Sequence, residues 1–254
     1  MGDALVNLEL DHALATALIA AFLGGLARGF SGFGAGLIFM PLAAAALGPR
    51  VAAPVLLIVD AVLILPYVRT AIATCERRSL LLMVGGAYLG IPLGVFLLAS
   101  LDPIALRWAI AVLTVAMLAL LMSGFRLPRT PRPPATVAVG AIAGAMTASV
   151  QVGGPPVVVY WLSSPLAPKA VRANLILFFL ATTAGAAIGY ALAGLFTGAV
   201  LALALVVGPA YATGLFLGTR LFGAASERVF RSISYALIAL AALLSLPVLD
   251  GVLR

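Results

Sequence analysis

The chain has 254 residues, of which 64% are hydrophobic and 9% charged, with a formal net charge of +7. A soluble domain carries about a quarter charged residues, so this chain has too few polar side chains to cover a water-facing surface. The composition excludes a soluble globular protein and predicts an integral membrane protein, with nearly all of the chain in or near the bilayer.

The chain opens on an acidic head, "MGDALVNLELDH", which lacks the basic start of a signal peptide. Apolar helical segments then follow at about 12–27, 33–48, 51–69, 79–100, 104–123, 135–149, 155–166, 171–193, 197–222 and 229–247. A straight span needs about 20 residues, which the third, fourth, fifth, eighth, ninth and tenth segments supply. The first, second, sixth and seventh are short and come as two pairs. Each pair is joined by a Gly-rich break, "RGFSGFG" in the first and "SVQVGGPP" in the second. Between the fifth and sixth segments, "RLPRTPRPP" reads as a linker.

Charge sets the orientation. With the N-terminus outside, the inside loops hold Arg69, Arg77, Arg78, Arg126, Arg129, Arg132, Lys169, Arg172, Arg220, Arg228 and Arg231, and the outside loops hold Arg50, Arg107 and Arg254. The positive-inside rule favours this arrangement. The arginines do not cluster on one soluble face, so they read as topology determinants and nucleic acid is not an expected partner.

The chain also resembles itself. "GFGAGLIFMPLAAAALGPRVAA" is similar to "QVGGPPVVVYWLSSPLAPKAVRA", with Gly34 on Gly153 and Arg50 on Lys169. "YLGIPLGVFLLASLDPIALRWAIAVL" is similar to "ATGLFLGTRLFGAASERVFRSISYAL", with Gly90 and Gly94 on Gly214 and Gly218. The expected organisation is a repeat over residues 1–125, a cytoplasmic linker over 126–134 and a second repeat over 135–254, forming one all-α transport unit. Five segments per half turn the second half upside down, so the repeats are expected to have inverted topology. The short pairs can each cross twice or re-enter; the loop charges are the same in both cases.

Irregular backbone in hydrocarbon leaves peptide groups unpaired at a cost of several kcal/mol each, and it persists where protein or a water-filled cavity surrounds it. Interrupted segments at matching places in two halves are the best sequence pointer to a transporter's binding site, and here the chemistry suits an anion. Ser31 is expected to cap a helix beginning near Phe33, with Gly32 and Gly34 exposing backbone. Pro155 is expected to start the second short helix, with the N–H groups of Gly153 and Gly154 unshielded ahead of it. Two helix N-termini would then face one oxyanion. Thr147, Ser149 and Gln151 add hydrogen-bonding side chains, and Arg28 adds a full charge.

Asp60 lies near the centre of the third segment, where an acid costs about 2.5–3.5 kcal/mol. It either carries a proton with each cycle or pairs with a cation such as Arg28. The corresponding stretch of the second half, "LILFFLATT", holds no acid, which favours the proton role. Asn174 is either a substrate contact or a helix-packing hydrogen bond. Gly90/Gly94, Gly214/Gly218 and Gly185/Gly189 read as close-packing contacts, and Trp108, Trp161, Tyr67 and Tyr211 as interface anchors or core. "GFGAG" lacks the strand, spacing and distal acid of a dinucleotide loop. One histidine, His12, and one cysteine, Cys75, argue against a metal centre, a cofactor, an intrachain disulfide and an enzyme.

"RGFSGFGAGLIFMPL" and "GAMTASVQVGGPPVVVYWL" resemble the two repeat motifs of the sulfite exporter TauE/SafE family, and Gly153 to Pro156 is the most specific part. The sequence departs from the family pattern at Arg28, Gln151 and Val152. The resemblance implies a multi-pass carrier in the bacterial inner membrane, and the loop charges then put both termini on the periplasmic side. It further implies a secondary transporter, working as an exporter, for sulfite, an organosulfonate or a related sulfur anion. The alternatives are a passive anion channel and an importer of a sulfur compound or other organic anion. The expected partners are the anion, the bilayer and a second copy in a homodimer.

Overall fold

The computed structural model describes residues 2–125, 132–221 and 227–249, with backbone alone for 2–11, Ser31, Pro168, 227–231, Ile233 and Leu249. Each predicted segment corresponds to a helix: α1 (Gly2–Ser31), α2 (Ala35–Leu47), α3 (Pro49–Thr74), α4 (Arg77–Ser100), α5 (Pro103–Met122), α6 (Pro133–Val150), α7 (Gly154–Leu162), α8 (Pro168–Leu192), α9 (Gly198–Leu221) and α10 (Glu227–Leu244). There is no strand among the described residues. The helix starts follow local chemistry. Proline opens α3, α5, α6 and α8, where a missing N–H is harmless. Glu76 caps α4 by accepting from the Arg78 and Ser79 N–H groups, and Asp102 caps α5 through the Ile104 and Ala105 N–H groups. Of the linker, Arg126 and Arg129 lie outside the described residues, and α6 begins inside its predicted end, at Pro133.

Two lengths differ from expectation. The helix of the acidic head runs on without a break to Ser31, so α1 has 30 residues and His12–Phe30 is long and apolar enough to span a membrane. α6, started early by Pro133, has 18 residues and also qualifies. With α3, α4, α5, α8 and α9 that makes seven candidate spans among the described residues, and the apolar stretch described in α10 is Ser234–Leu244. Each break therefore joins one long helix to one short helix. α2 has 13 residues and α7 has 9, about 20 and 14 Å at 1.5 Å per residue, against a hydrocarbon core of about 30 Å.

The two closest helix pairs are α4 with α6 and α1 with α9, and glycines make both seams. A Cβ on Gly86, Gly90 or Gly94 would overlap the carbonyl of Val137, Ala141 or Ala145. Gly140 and Gly144 meet the carbonyls of Met83 and Ala87 in return. In the second seam Gly25 and Gly29 face the Tyr211 and Leu215 carbonyls, while Gly214 and Gly218 face those of Phe22 and Leu26. Such contact lets backbones touch along the whole crossing. Gly185 and Gly189 pack against Tyr88, Ile91 and Val95 of α4. The glycine pairs expected to serve packing do so.

Two of the arginines assigned to outside loops close helix ends. Arg50 donates to the Leu98 and Leu101 carbonyls at 3.1 and 3.0 Å, at the C-terminus of α4. Arg107, buried, donates to the Ser245 carbonyl just past α10 at 3.2 Å. A guanidinium there satisfies carbonyls that the helix leaves open and offsets the negative end of its dipole.

Candidate functional site

The first break is the three residues between α1 and α2. Gly32 and Gly34 both have positive φ, 76° and 93°, which the absence of a Cβ permits. The second is the turn from α6 into α7. It begins at Gln151, the one described non-glycine residue with positive φ, at 57°. Gln151 closes α6 by donating its N–H to the Thr147 carbonyl at 3.0 Å. The breaks touch. A Cβ on Gly36 would overlap the Gln151 carbonyl, and one on Gly154 would lie 3.8 Å from the Phe33 Cβ.

A cavity of about 40 Å³ lies where they meet, lined among others by Arg28, Gly34, Gly36, Thr147, Gln151 and Gly154, with Pro155 beside them. It has room for roughly three water-sized groups. α2 opens into it with the N–H groups of Ala35 and Gly36, which a helix start leaves unmatched. α7 offers less, because Pro155 and Pro156 have no N–H and only Gly154 and Val157 donate in its first turn. The Thr147 hydroxyl, on a residue 6% exposed, has no hydrogen-bond partner. The cavity thus collects backbone donors, two positive dipole ends and one orphan hydroxyl.

Arg28 is 9% exposed, in the last turn of α1. It donates to the Asp60 carboxylate at 2.9 Å and to the Gly32 carbonyl at 2.8 Å, and its guanidinium stacks 4.6 Å from the centre of the Phe179 ring. Asp60 accepts a second bond, 2.7 Å from the Tyr211 hydroxyl. Asp60 is therefore half of an ion pair and not a lone carboxyl. Both members of the pair also line a second, larger cavity of about 460 Å³ between α1, α3, α7, α8 and α9. The pair stands at the junction of the two spaces.

Several expected residues sit elsewhere. Ser31 ends α1, and the residue preceding α2 is Gly34, with no side-chain cap. The side chain of Ser31 lies outside the described residues. A helix started at Ala35 puts its capping position three residues beyond this serine. Ser149 is not at the cavity: its hydroxyl bonds back to the Ala145 carbonyl at 2.7 Å, and its backbone faces Gly94. Gly153 packs against α6, where a Cβ would overlap the Ala143 carbonyl and the Thr147 hydroxyl. Gly32 lines the larger cavity, not the smaller one. Asn174 accepts from the Glu76 N–H at 2.9 Å, which makes it a brace between α8 and the start of α4. The Gln151 amide donates to the Tyr190 hydroxyl at 3.2 Å, which donates in turn to the Ala148 carbonyl.

Tyr211 and Phe179 were not among the expected site residues. One signal pointed to Phe179. The alignment that puts Gly34 on Gly153 puts Asp60 on Phe179, so the two matched positions grip the same guanidinium, one by charge and one by its ring face. Tyr211 carries no comparable mark.

Gly154→Leu is expected to abolish oxyanion binding with the fold retained. A Cβ there already comes within 3.3 Å of the Phe179 ring, and a leucine would fill a space of this size. Calorimetry on a variant of normal melting behaviour checks this, and unchanged binding would assign Gly154 to packing.

The family model described as "Sulfite exporter TauE/SafE" matches residues 17–245 of the chain. No curated protein and no solved structure matches it.

Proposed function

The chain belongs to the sulfite exporter TauE/SafE family, and on that premise we propose that it is a secondary transporter exporting a small sulfur-containing oxyanion across the bacterial inner membrane. The observation that carries the anion site is the small cavity at the meeting of the breaks. It combines two helix N-termini, the unpartnered Thr147 hydroxyl and the Arg28 guanidinium. No group in it is set up as a nucleophile beside a base, so binding and release without covalent chemistry is the function it suits.

Inverted topology is part of this proposal. If α1–α5 correspond to α6–α10, the α1–α9 seam maps onto the α6–α4 seam, and the exchanged partners support that symmetry. The charge asymmetry of the loops supports periplasmic termini. A membrane potential negative inside favours outward movement of an anion by about 2.3 kcal/mol per charge per 100 mV.

The mechanism proposed is partner exchange on Arg28. In the ligand-free protein Asp60 neutralises the guanidinium, so no bare cation is buried. An arriving oxyanion takes the place of Asp60 on Arg28, and Asp60 keeps its bond to Tyr211. Asp60, free of its cation, is then the group available to take a proton.

The test is binding and counterflow. Arg28→Gln is expected to weaken sulfite binding by about 1.5–3 kcal/mol, the scale of a charged hydrogen bond, in calorimetry on purified protein. A loss seen only in expression or orientation would make Arg28 a topology signal. In proteoliposomes, labelled sulfite is expected to accumulate against its gradient by exchange; flux without saturation or exchange would identify a channel.

A further inference from the structure

The two cavities occupy matching places in the two halves of the chain. The alignment that puts Asp60 on Phe179 also puts Arg28 on Thr147, Gly32 on Gln151, Ile64 on Thr183 and Leu56 on Leu175. In each of these pairs one member lines the larger cavity and the other lines the smaller. One place is open, with about 460 Å³, and its counterpart is nearly shut, with about 40 Å³.

The difference lies in the outer walls. Leu63, Tyr67, Val171 and Arg172 line the larger cavity, and Tyr67 is 41% exposed. Their matches, Thr182, Ala186, Ala52 and Ala53, are fully buried. On α9, Leu215 and Thr219 line the larger cavity. Their matches on α4, Ile91 and Val95, press on Gly185 and Gly189 of α8. The Tyr88 hydroxyl completes this closure by donating to the Ala181 carbonyl at 3.1 Å. The closure is side chain against glycine with one hydrogen bond across it. The α4–α6 and α1–α9 seams instead lay backbone on backbone. Helices joined by such a seam move as one body, and the looser α4–α8 contact is where the packing can part.

We infer that the anion leaves through a second vestibule, closed in this structure, between α2, α3, α4, α6 and α8, which opens when the α4–α6 body parts from α8 along Ile91, Val95, Gly185 and Gly189. This rests on the inverted-repeat transporter proposed above. With the loop charges as assigned, the larger cavity faces the cytoplasm and the second vestibule faces the periplasm. The small cavity is the inner end of that vestibule, so an anion on Arg28 stands between the two. Thr182, Thr183 and Ala186 line the vestibule once it opens.

Two variants of the full chain, both with Cys75→Ser, test this. In the first, Thr182→Cys is exposed to a membrane-impermeant maleimide on the periplasmic face of spheroplasts. Its hydroxyl bonds only to its own helix, at the Phe178 and Phe179 carbonyls, so transport is expected to survive. Labelling is expected to be slow without sulfite and to speed up during sulfite export. In the second, Val95→Cys is combined with Gly189→Cys. A Cβ on Gly189 would lie 3.4 Å from the Val95 Cβ, close to the separation of about 3.5–4.5 Å that a disulfide bridges. Oxidation of this pair is expected to stop sulfite counterflow in proteoliposomes, with sulfite binding retained, and dithiothreitol is expected to restore it. Labelling that sulfite does not alter, or counterflow unchanged in the oxidised pair, would overturn the inference and leave the transporter reading standing. No sulfite movement in the unmodified chain would overturn both.

Discussion

Asp60→Asn is expected to destabilise the ligand-free protein by about 3 kcal/mol, the low end for a broken buried ion pair, and saturating sulfite is expected to restore most of that loss. The low end applies because Arg28 is 9% exposed but Asp60 is 20% exposed. The substitution preserves size and leaves an oxygen for the Tyr211 hydroxyl, so the main change is a guanidinium without its counterion. Partner exchange assigns the vacated place to the substrate. An oxyanion at 100 times its Kd stabilises by about 2.7 kcal/mol, close to the loss. At the same sulfite concentration the wild type should gain less, because having to displace Asp60 raises its Kd. Unfolding curves of both proteins, with and without sulfite, check this. Equal gains would remove partner exchange. The same variant separates coupling from bracing. If Asp60 carries a proton, proteoliposomes with Asp60→Asn keep anion exchange and lose pH-driven flux. An unchanged pH profile would remove the proton role.

Gly36→Ala is expected to destabilise by about 1–3 kcal/mol, the scale of overpacking a filled core, and to weaken sulfite binding at least tenfold. The added methyl meets the Gln151 carbonyl, which is backbone and cannot rotate aside. Relief comes only by moving the start of α2 away from the end of α6, and that displacement opens the anion cavity. Helix propensity acts in the opposite direction, since alanine is better than glycine in a helix by about 1 kcal/mol. Gly85→Ala measures that opposing contribution. Nothing lies within 4 Å of a Cβ at Gly85 in α4, so this control should be neutral or slightly stabilising in the same denaturation series. If Gly36→Ala behaves like the control, the breaks do not touch.

The helices were legible because apolar runs bounded by Pro, Gly and capping acids leave little choice of element, and every predicted segment has its helix. Lengths were less legible. Residues 2–11, which mix three acids with apolar side chains and precede the first predicted segment, are helical in α1. The glycine clusters where the candidate site is proposed were legible as well, since they leave backbone exposed. Which side chains serve it was not. Ser149 and Thr147 are two residues apart, yet a helix points them to different neighbours, and only Thr147 lines the cavity. Residue type favoured both equally. Asp60 was visible as an anomaly, but its bond to Tyr211 spans 151 residues and follows from the α3–α9 contact, which periodicity within one helix cannot reveal.

The two glycine seams also set an order of events during synthesis. α1 emerges first, and the face it presents at Gly25 and Gly29 has no partner until α9 is made, roughly 190 residues later. At translation rates of about 5–20 residues per second, α1 waits roughly ten to forty seconds beside lipid or the insertion machinery. The α4–α6 seam closes much sooner. The halves are thus interlocked at birth: the earlier seam already ties the first half to the second, and the last to close joins the first helix to the ninth. A ribosome stalled before α9 leaves a chain whose first helix lacks the partner of its glycine stripe at Gly25 and Gly29.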